Sequence, residues 1–201
     1  MMKIGITGSI AMGKSEALKM FAAAGIPVFD SDSEVHKMYA EKPTIELMGR
    51  SFPDAIVDGR IDRKLLGEIV FRSADDLRKL ESLVHPLVKL RREKFIRNAQ
   101  HQGAEFAILD IPLLYEKGKD ASLDYVIVIS SPESLQRQRA LARPGMTAER
   151  LDSILGKQMP DIEKRARANF VLDNAGDLNH LEKQVKQLIT KFQTLSKAHQ
   201  K

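Results

Sequence analysis

The sequence has no cysteine and no tryptophan, and aromatic residues make up only 5% of it. Without cysteine there is no disulfide framework, no thiol nucleophile and no thiolate zinc site, which fits a reducing compartment. So few aromatics leave little on which to stack bases or build an aromatic cage. Long apolar runs are missing as well. The strongest, Val126-Ile127-Val128-Ile129, falls far short of the ~18 residues that cross a bilayer. The start, Met1-Met2-Lys3-Ile4-Gly5-Ile6-Thr7-Gly8, carries a lysine and no sustained apolar stretch, so it does not read as a secretory signal. These absences predict a cytoplasmic protein with no membrane partner. What is present is 201 residues, 43% hydrophobic and 29% charged, which excludes wholesale disorder and supplies one sizeable core. Lysine and arginine number 32 against 27 acidic residues, a net charge of +5 that suits polyanionic ligands without choosing among them. Nothing in the sequence sets an oligomeric state.

Short apolar runs alternate with longer amphipathic segments. Strands are expected at Lys3–Thr7, Ile26–Phe29, Ala104–Leu109, Asp124–Ile129 and, more weakly, Phe170–Leu172. Helices are expected at Lys14–Ala24, Pro132–Ala142, Ala148–Gln158 and Asp177–Ser196. This alternation predicts an α/β fold, a parallel five-stranded sheet flanked by helices. The stretch from about 33 to 102 breaks the rhythm with helix-period leucines such as Leu77, Leu80, Leu83 and Leu87. It reads as a mostly helical insertion within a single domain spanning 1–201, punctuated by turns at Pro53 and Asp58-Gly59.

Gly8-Ser9-Ile10-Ala11-Met12-Gly13-Lys14-Ser15 fits G-x-x-x-x-G-K-S, with a strand expected before it and a helix after it. Such a loop aims backbone N–H groups and a helix N-terminus at phosphate. Lys14 would reach the β- and γ-phosphates, and the Ser15 hydroxyl would ligate Mg²⁺. The motif specifies a nucleotide, not a reaction. Asp30 and Asp32 follow the second expected strand, where ligands bind in open parallel sheets. Asp32 is a candidate general base or water-mediated Mg²⁺ neighbour; equally, Ser31 or Asp32 could simply cap the next helix. Asp110, ending the third apolar strand, is either a Mg²⁺ carboxylate or the cap of a turn. Arg139 and Arg143, four apart, are expected on one helix face beside a Pro144-Gly145 joint. By spacing alone they read as a solvated helix face, or as part of a lid at about 139–150 that would offset charge during phosphoryl transfer.

Further elements, in order along nearly the whole chain, make it similar to the dephospho-coenzyme A kinase family. They are Ile6–Ser15, Gly25-Ile26-Pro27-Val28 leading to Asp30-Ser31-Asp32, Leu83-Val84-His85-Pro86 and Asp110–Glu116. Arg139, Arg143, Gln158-Met159-Pro160 and Asp173-Asn174-x-Gly176 complete the resemblance. It implies a P-loop kinase that moves a phosphoryl group from ATP, with Mg²⁺, to the ribose 3′-hydroxyl of dephospho-coenzyme A, the last step of coenzyme A synthesis. It further implies catalytic roles for Asp32, Lys14, Arg139 and Arg143, and nucleotide contacts from Gly8, Ala11, Met12, Gly13, Lys14, Ser15 and Glu16. Ser15 and Asp110 become the metal ligands. The acceptor falls to Thr7, Asp32, His85, Pro112, Leu113 and Leu114, and the helical insertion is where it binds. The family usually has Gly at positions 9 and 11 and Thr at 16, so Ser9 and Ala11 must carry Cβ atoms in a tight loop. Glu16 must turn away from phosphate or meet the helix N-terminus.

Other features carry weaker readings. Pro86 is expected to hold His85 in an extended conformation, and Arg63 would meet an acceptor phosphate or a surface carboxylate. The basic clusters at Lys89–Arg97 and beyond Asp177 repeat apolar residues at helical spacing, so they read as solvated helix faces and no nucleic-acid partner is expected. A nucleoside monophosphate kinase is the rival within the same reaction class. A P-loop switch or nucleic-acid-binding module is the rival outside it.

Overall fold

The structure is a computed structural model that describes residues 1–118 and 120–199. It divides into two compact units, one formed by Met1–Phe29 with the chain from Arg97 onward, the other by Asp30–Ile96.

The first unit is built on β1 (Met2–Thr7), β2 (Val28–Phe29), the strand Phe106–Asp110, the strand Tyr125–Ser130 and the strand Phe170–Asp173. The second unit contributes a hairpin, β3 (Ile56–Val57) and β4 (Arg60–Ile61), so the last three sheet strands are β5, β6 and β7. The sheet order is β2-β5-β1-β6-β7, every neighbouring pair parallel. β1 lies at the centre, with Ile6 opposite Asp110 of β5 on one side and Ile127 of β6 on the other. Every residue of β5 is buried, as are Val126–Ser130 of β6. That is why these strands are near-continuous apolar runs rather than alternating ones.

Two helices of this unit, α1 (Lys14–Ala23) and the C-terminal Leu178–His199, supply Ala17, Leu18, Phe21, Leu181, Val185, Ile189 and Phe192 to one continuous core with Ile4, Ile6, Ile108, Ile127 and Ile129. Phe192 is fully buried and meets Phe170 edge-on at 5.1 Å between ring centroids. Because all five strands run the same way, the loops leaving β1, β5, β6 and β7 gather at their carboxyl ends, the place where open α/β sheets bind ligands.

The second unit contains α2 (Ser31–Met38), α3 (Lys42–Ser51), the β3–β4 hairpin, α4 (Arg63–Arg72) and most of α5 (Ala74–His101). Met48, Phe52, Ala55 and Leu66 form its core, with Tyr39, Ile56, Ile61, Leu80 and Leu83 packed around them. The hairpin was not expected, because two-residue strands are too short to show alternation. Asp58 (φ 49°) and Gly59 (φ 71°) make its turn, both central residues in the left-handed region that a two-residue hairpin of this kind requires.

Three other expectations change. Pro86 lies inside the uninterrupted α5, so His85 is helical rather than extended. Tertiary packing outweighs the lost hydrogen bond and the ring clash, together worth about 3 kcal/mol in an isolated helix. The helix after Thr147, α7 (Ala148–Leu155), stops short of Gln158 and a separate α8 (Asp161–Arg167) follows it, preceded by Pro160. α6 (Glu133–Leu141) ends before Arg143, which therefore does not share a helix face with Arg139. The C-terminal helix is α9. Within the second unit Arg91, its side chain 30% exposed, pairs with Glu41 and, at 3.4 Å, with Glu34.

Candidate active site

The loop from Gly8 to Ser15 joins the end of β1 to the start of α1. Gly13 occupies the helix N-cap at φ 98°, and a Cβ there would run into Asn174 Nδ2, so glycine is required twice over. Ala11 takes φ 61° with its Cβ in place, a strain of order 1 kcal/mol that concentrates, as such strain does, at a functional loop. Its methyl is buried with Ala140 and Leu151. Ser9 is not in the left-handed region, so its side chain carries no such cost.

Side chains from distant parts of the first unit hold this loop in shape. Gln136 Nε2 donates to the Ile10 carbonyl at 2.8 Å, and Ile10 N–H donates to Gln158 Oε1 at 3.1 Å. Asn174 Nδ2 donates to the Met12 carbonyl at 2.9 Å, while Ser131 donates from N–H and hydroxyl to Met12 Sδ. Lys164 Nζ donates to Ser9 Oγ at 3.3 Å and pairs with Glu116 at 2.9 Å. Glu116 Oε1 also accepts the Met159 N–H at 2.8 Å. Burial pushes the Glu116 carboxyl up, but the Lys164 hydrogen bond and the backbone donors outweigh it and hold the group below its ordinary value.

Lys14 and Asp110 form an ion pair at the mouth of the loop, joining the start of α1 to the end of β5; the carboxylate is fully buried. Ser15 is exposed beside it at the first turn of α1. Among the described residues no group of three or more His, Cys, Asp or Glu side chains forms a ready metal cage. Asp110 and Ser15 offer one buried carboxylate and one exposed hydroxyl, oxygen donors that could complete the shell of a hard cation arriving with phosphate. Glu16 turns along α1, where its carboxylate takes Lys19 at 2.7 Å.

Arg139, in the last turn of α6, donates from Nη1 to the Asn174 carbonyl at 3.1 Å. Through Asn174 it is two hydrogen bonds from the phosphate loop. Arg143 sits in the exposed turn that follows, ahead of Gly145 at φ 73°. Arg137 pairs with Asp152 of α7 at 2.7 Å. Thr7 is buried at the end of β1. After β5, Pro112 is exposed and Leu113 is half-buried at φ 52°, in the left-handed region like Ala11 and Asp58. Leu114 is not part of that surface: it is fully buried, its methyl packed over Gly5 of β1.

In the second unit, Asp30 caps α2 by accepting the Ser33 N–H at 3.0 Å. The capping duty therefore falls to neither Ser31 nor Asp32. Asp32 is exposed in the first turn of α2, three residues beyond the end of β2. His85 lies on α5 with Nε2 3.8 Å from Glu81. Arg63 meets the His36 ring, 2.5 Å from Nδ1, rather than a carboxylate.

Sequence reasoning missed Gln136, Gln158, Lys164 and Asn174 as residues that hold the loop. Gln158 and Asn174 stand in family-like elements, but Lys164 has no sequence signal: in α8 it is 1% exposed while its neighbour Ile162 is 77% exposed, the reverse of an amphipathic pattern.

Comparison with known proteins agrees with this geometry. Residues 2–180 match the family model described as dephospho-CoA kinase. A dephospho-CoA kinase of Rhodopseudomonas palustris (strain HaA2) is 42% identical over 189 residues, 94% of each chain. One from Brucella melitensis is 44% identical over 190 residues, again 94% of each. Among solved structures, TT1252 from Thermus thermophilus superposes with a TM-score of 0.78 at 36% identity, covering 94% of this chain and 97% of that one.

Proposed function

The chain belongs to the dephospho-CoA kinase family, and from that premise we propose that it transfers the γ-phosphoryl group of ATP to the ribose 3′-hydroxyl of dephospho-coenzyme A. The 3′-oxygen forms the new bond to γ-phosphorus, the bond from γ-phosphorus to the β,γ-bridging oxygen breaks, and ADP leaves. The hydroxyl proton passes to Asp32. The observation that carries this reading is the Lys14–Asp110 pair at the mouth of a phosphate loop already held in shape by Gln136, Gln158 and Asn174.

The backbone amides of Gly8–Ser15 and the positive end of α1 hold the phosphates, with Lys14 on the β- and γ-groups. Asp110 and Ser15 would hold Mg²⁺, which supplies charge neutralisation on the phosphates. Arg139, anchored on Asn174, and Arg143, on the exposed turn, offset charge on the transferring group. The 139–150 segment acts as a lid that excludes water and so limits hydrolysis of ATP. Asp32 is available as base because Asp30 carries out the capping. Thr7, Pro112 and Leu113 line the acceptor side, and the helical second unit, with His85, binds the remainder of the acceptor.

Acceptor-dependent ADP formation tests the proposal. With Mg·ATP, dephospho-coenzyme A should support turnover, and AMP, CMP, GMP and UMP should not. Turnover with a monophosphate would assign the protein to the monophosphate kinases. Nucleotide binding with no acceptor at all would point to a switch.

A further inference from the structure

Lys164 is a buried cation with no role in the chemistry above. Its side chain is 1% exposed, and Glu116, its partner, is 15% exposed. Removing such charges from water costs several kcal/mol per ion, and apolar residues of the same size often give equal or greater stability. A pair retained there therefore calls for some use other than stability. The α8 pattern sharpens this: the helix gives its one buried position to Lys164 and leaves Ile162 in solvent.

Both partners lead to the phosphate loop. Lys164 Nζ reaches the Ser9 hydroxyl at 3.3 Å, a group that exists because Ser stands where a bare glycine would offer nothing. Glu116 Oε1, besides taking Lys164, accepts the Met159 N–H at 2.8 Å, and the preceding residue, Gln158, accepts the Ile10 N–H at 3.1 Å. One buried pair thus fixes two successive residues of the loop, Ser9 directly and Ile10 through the chain between α7 and α8. Formally the pair is neutral, so its effect on a polyanion is one of position rather than of added charge. Amides that must converge on phosphate lose much of their binding energy if they wander, which is the use of a supporting shell.

We propose that Lys164 and Glu116 are positioning residues for the nucleotide, holding Ser9 and Ile10 so that the loop amides are set for the ATP phosphates before ATP arrives. This rests on the ATP-dependent reading above but not on the identity of the acceptor.

The test is Mg·ATP affinity measured by calorimetry without acceptor, beside the thermal unfolding midpoint and, in turnover, KM for ATP and for acceptor. Two variants are used: Ser9→Ala, which removes only the hydroxyl, and Lys164→Met with Glu116→Gln, which removes both charges together. Ser9→Ala should weaken Mg·ATP binding by about three-fold, and the double variant by about ten-fold or more, since misplacing a positioned site by fractions of an ångström has effects of that order. KM for the acceptor and the unfolding midpoint should stay near wild type. Unchanged Mg·ATP affinity in Ser9→Ala would overturn the proposal even if the double variant failed to fold, and so would equal weakening of ATP and acceptor. Because affinity is read without acceptor, a wild type that binds ATP but transfers to nothing would refute the reaction and leave this inference standing.

Discussion

Asp32 sits in the first turn of a helix where a carboxylate usually means a cap, and the cap is its neighbour Asp30. That division of labour separates two roles that sequence spacing left at even weight. It also gives a prediction. Asp32→Asn keeps shape and removes the proposed base, so kcat should fall by about 10²–10⁴-fold, the usual contribution of a general base. Mg·ATP affinity and the unfolding midpoint should change little. Weakened Mg·ATP binding with turnover preserved would make Asp32 a metal neighbour instead. At this scale legibility followed chemistry. Gly13, Lys14 and Ser15 were readable because the motif has one physical solution. Lys164 was hidden because burial of a lysine depends on contacts, to Ser9 and Glu116, that lie more than 40 residues away in sequence. Leu114, which the resemblance assigns to the acceptor, is fully buried in the core; an apolar residue after a strand suits either role equally.

Elements show the same division. The inner strands were legible because a strand buried on both faces is an uninterrupted apolar run, as Val126–Ile129 and Ala107–Leu109 are, while the partly exposed edge strands β2 and β7 gave only short runs. The β3–β4 hairpin was legible only as its Asp58-Gly59 turn, which has a signature where the two-residue strands have none. α5 went against the local rule. Pro86 forbids one backbone hydrogen bond and disfavours helix at His85, yet the helix continues because Leu80, Leu83 and Val84 ahead of it are drawn into packed positions and Leu87 and Val88 beyond it are half-buried. Pro86 itself is exposed, so its ring adds little burial. Pro86→Ala should therefore raise stability by about 1–3 kcal/mol, read from chemical denaturation. If the proline shapes the acceptor side through His85, KM for the acceptor should rise in the same variant with KM for ATP unchanged. A fall in stability would mean that the ring is packed in a way its exposure does not suggest.

The whole molecule pairs an α/β unit that carries the phosphate loop with a smaller, mostly helical unit of residues 30–96. The sequence placed an insertion at about 33–102; the break in the strand–helix rhythm was visible, while its far limit was not, because α5 runs on from Ile96 to His101 without a change of pattern. Among the described residues no helix is long and apolar enough to cross a membrane. The bond that forms, from the ribose 3′-oxygen to phosphorus, is the feature of the reaction most open to direct test. The measurement that tests it is analysis of the product from dephospho-coenzyme A and Mg·ATP, by mass and then by phosphorus NMR. A single added phosphate on the ribose 3′-oxygen, formed in step with ADP, is the predicted result. Phosphate at any other position, or ADP released with the acceptor unmodified, would contradict it.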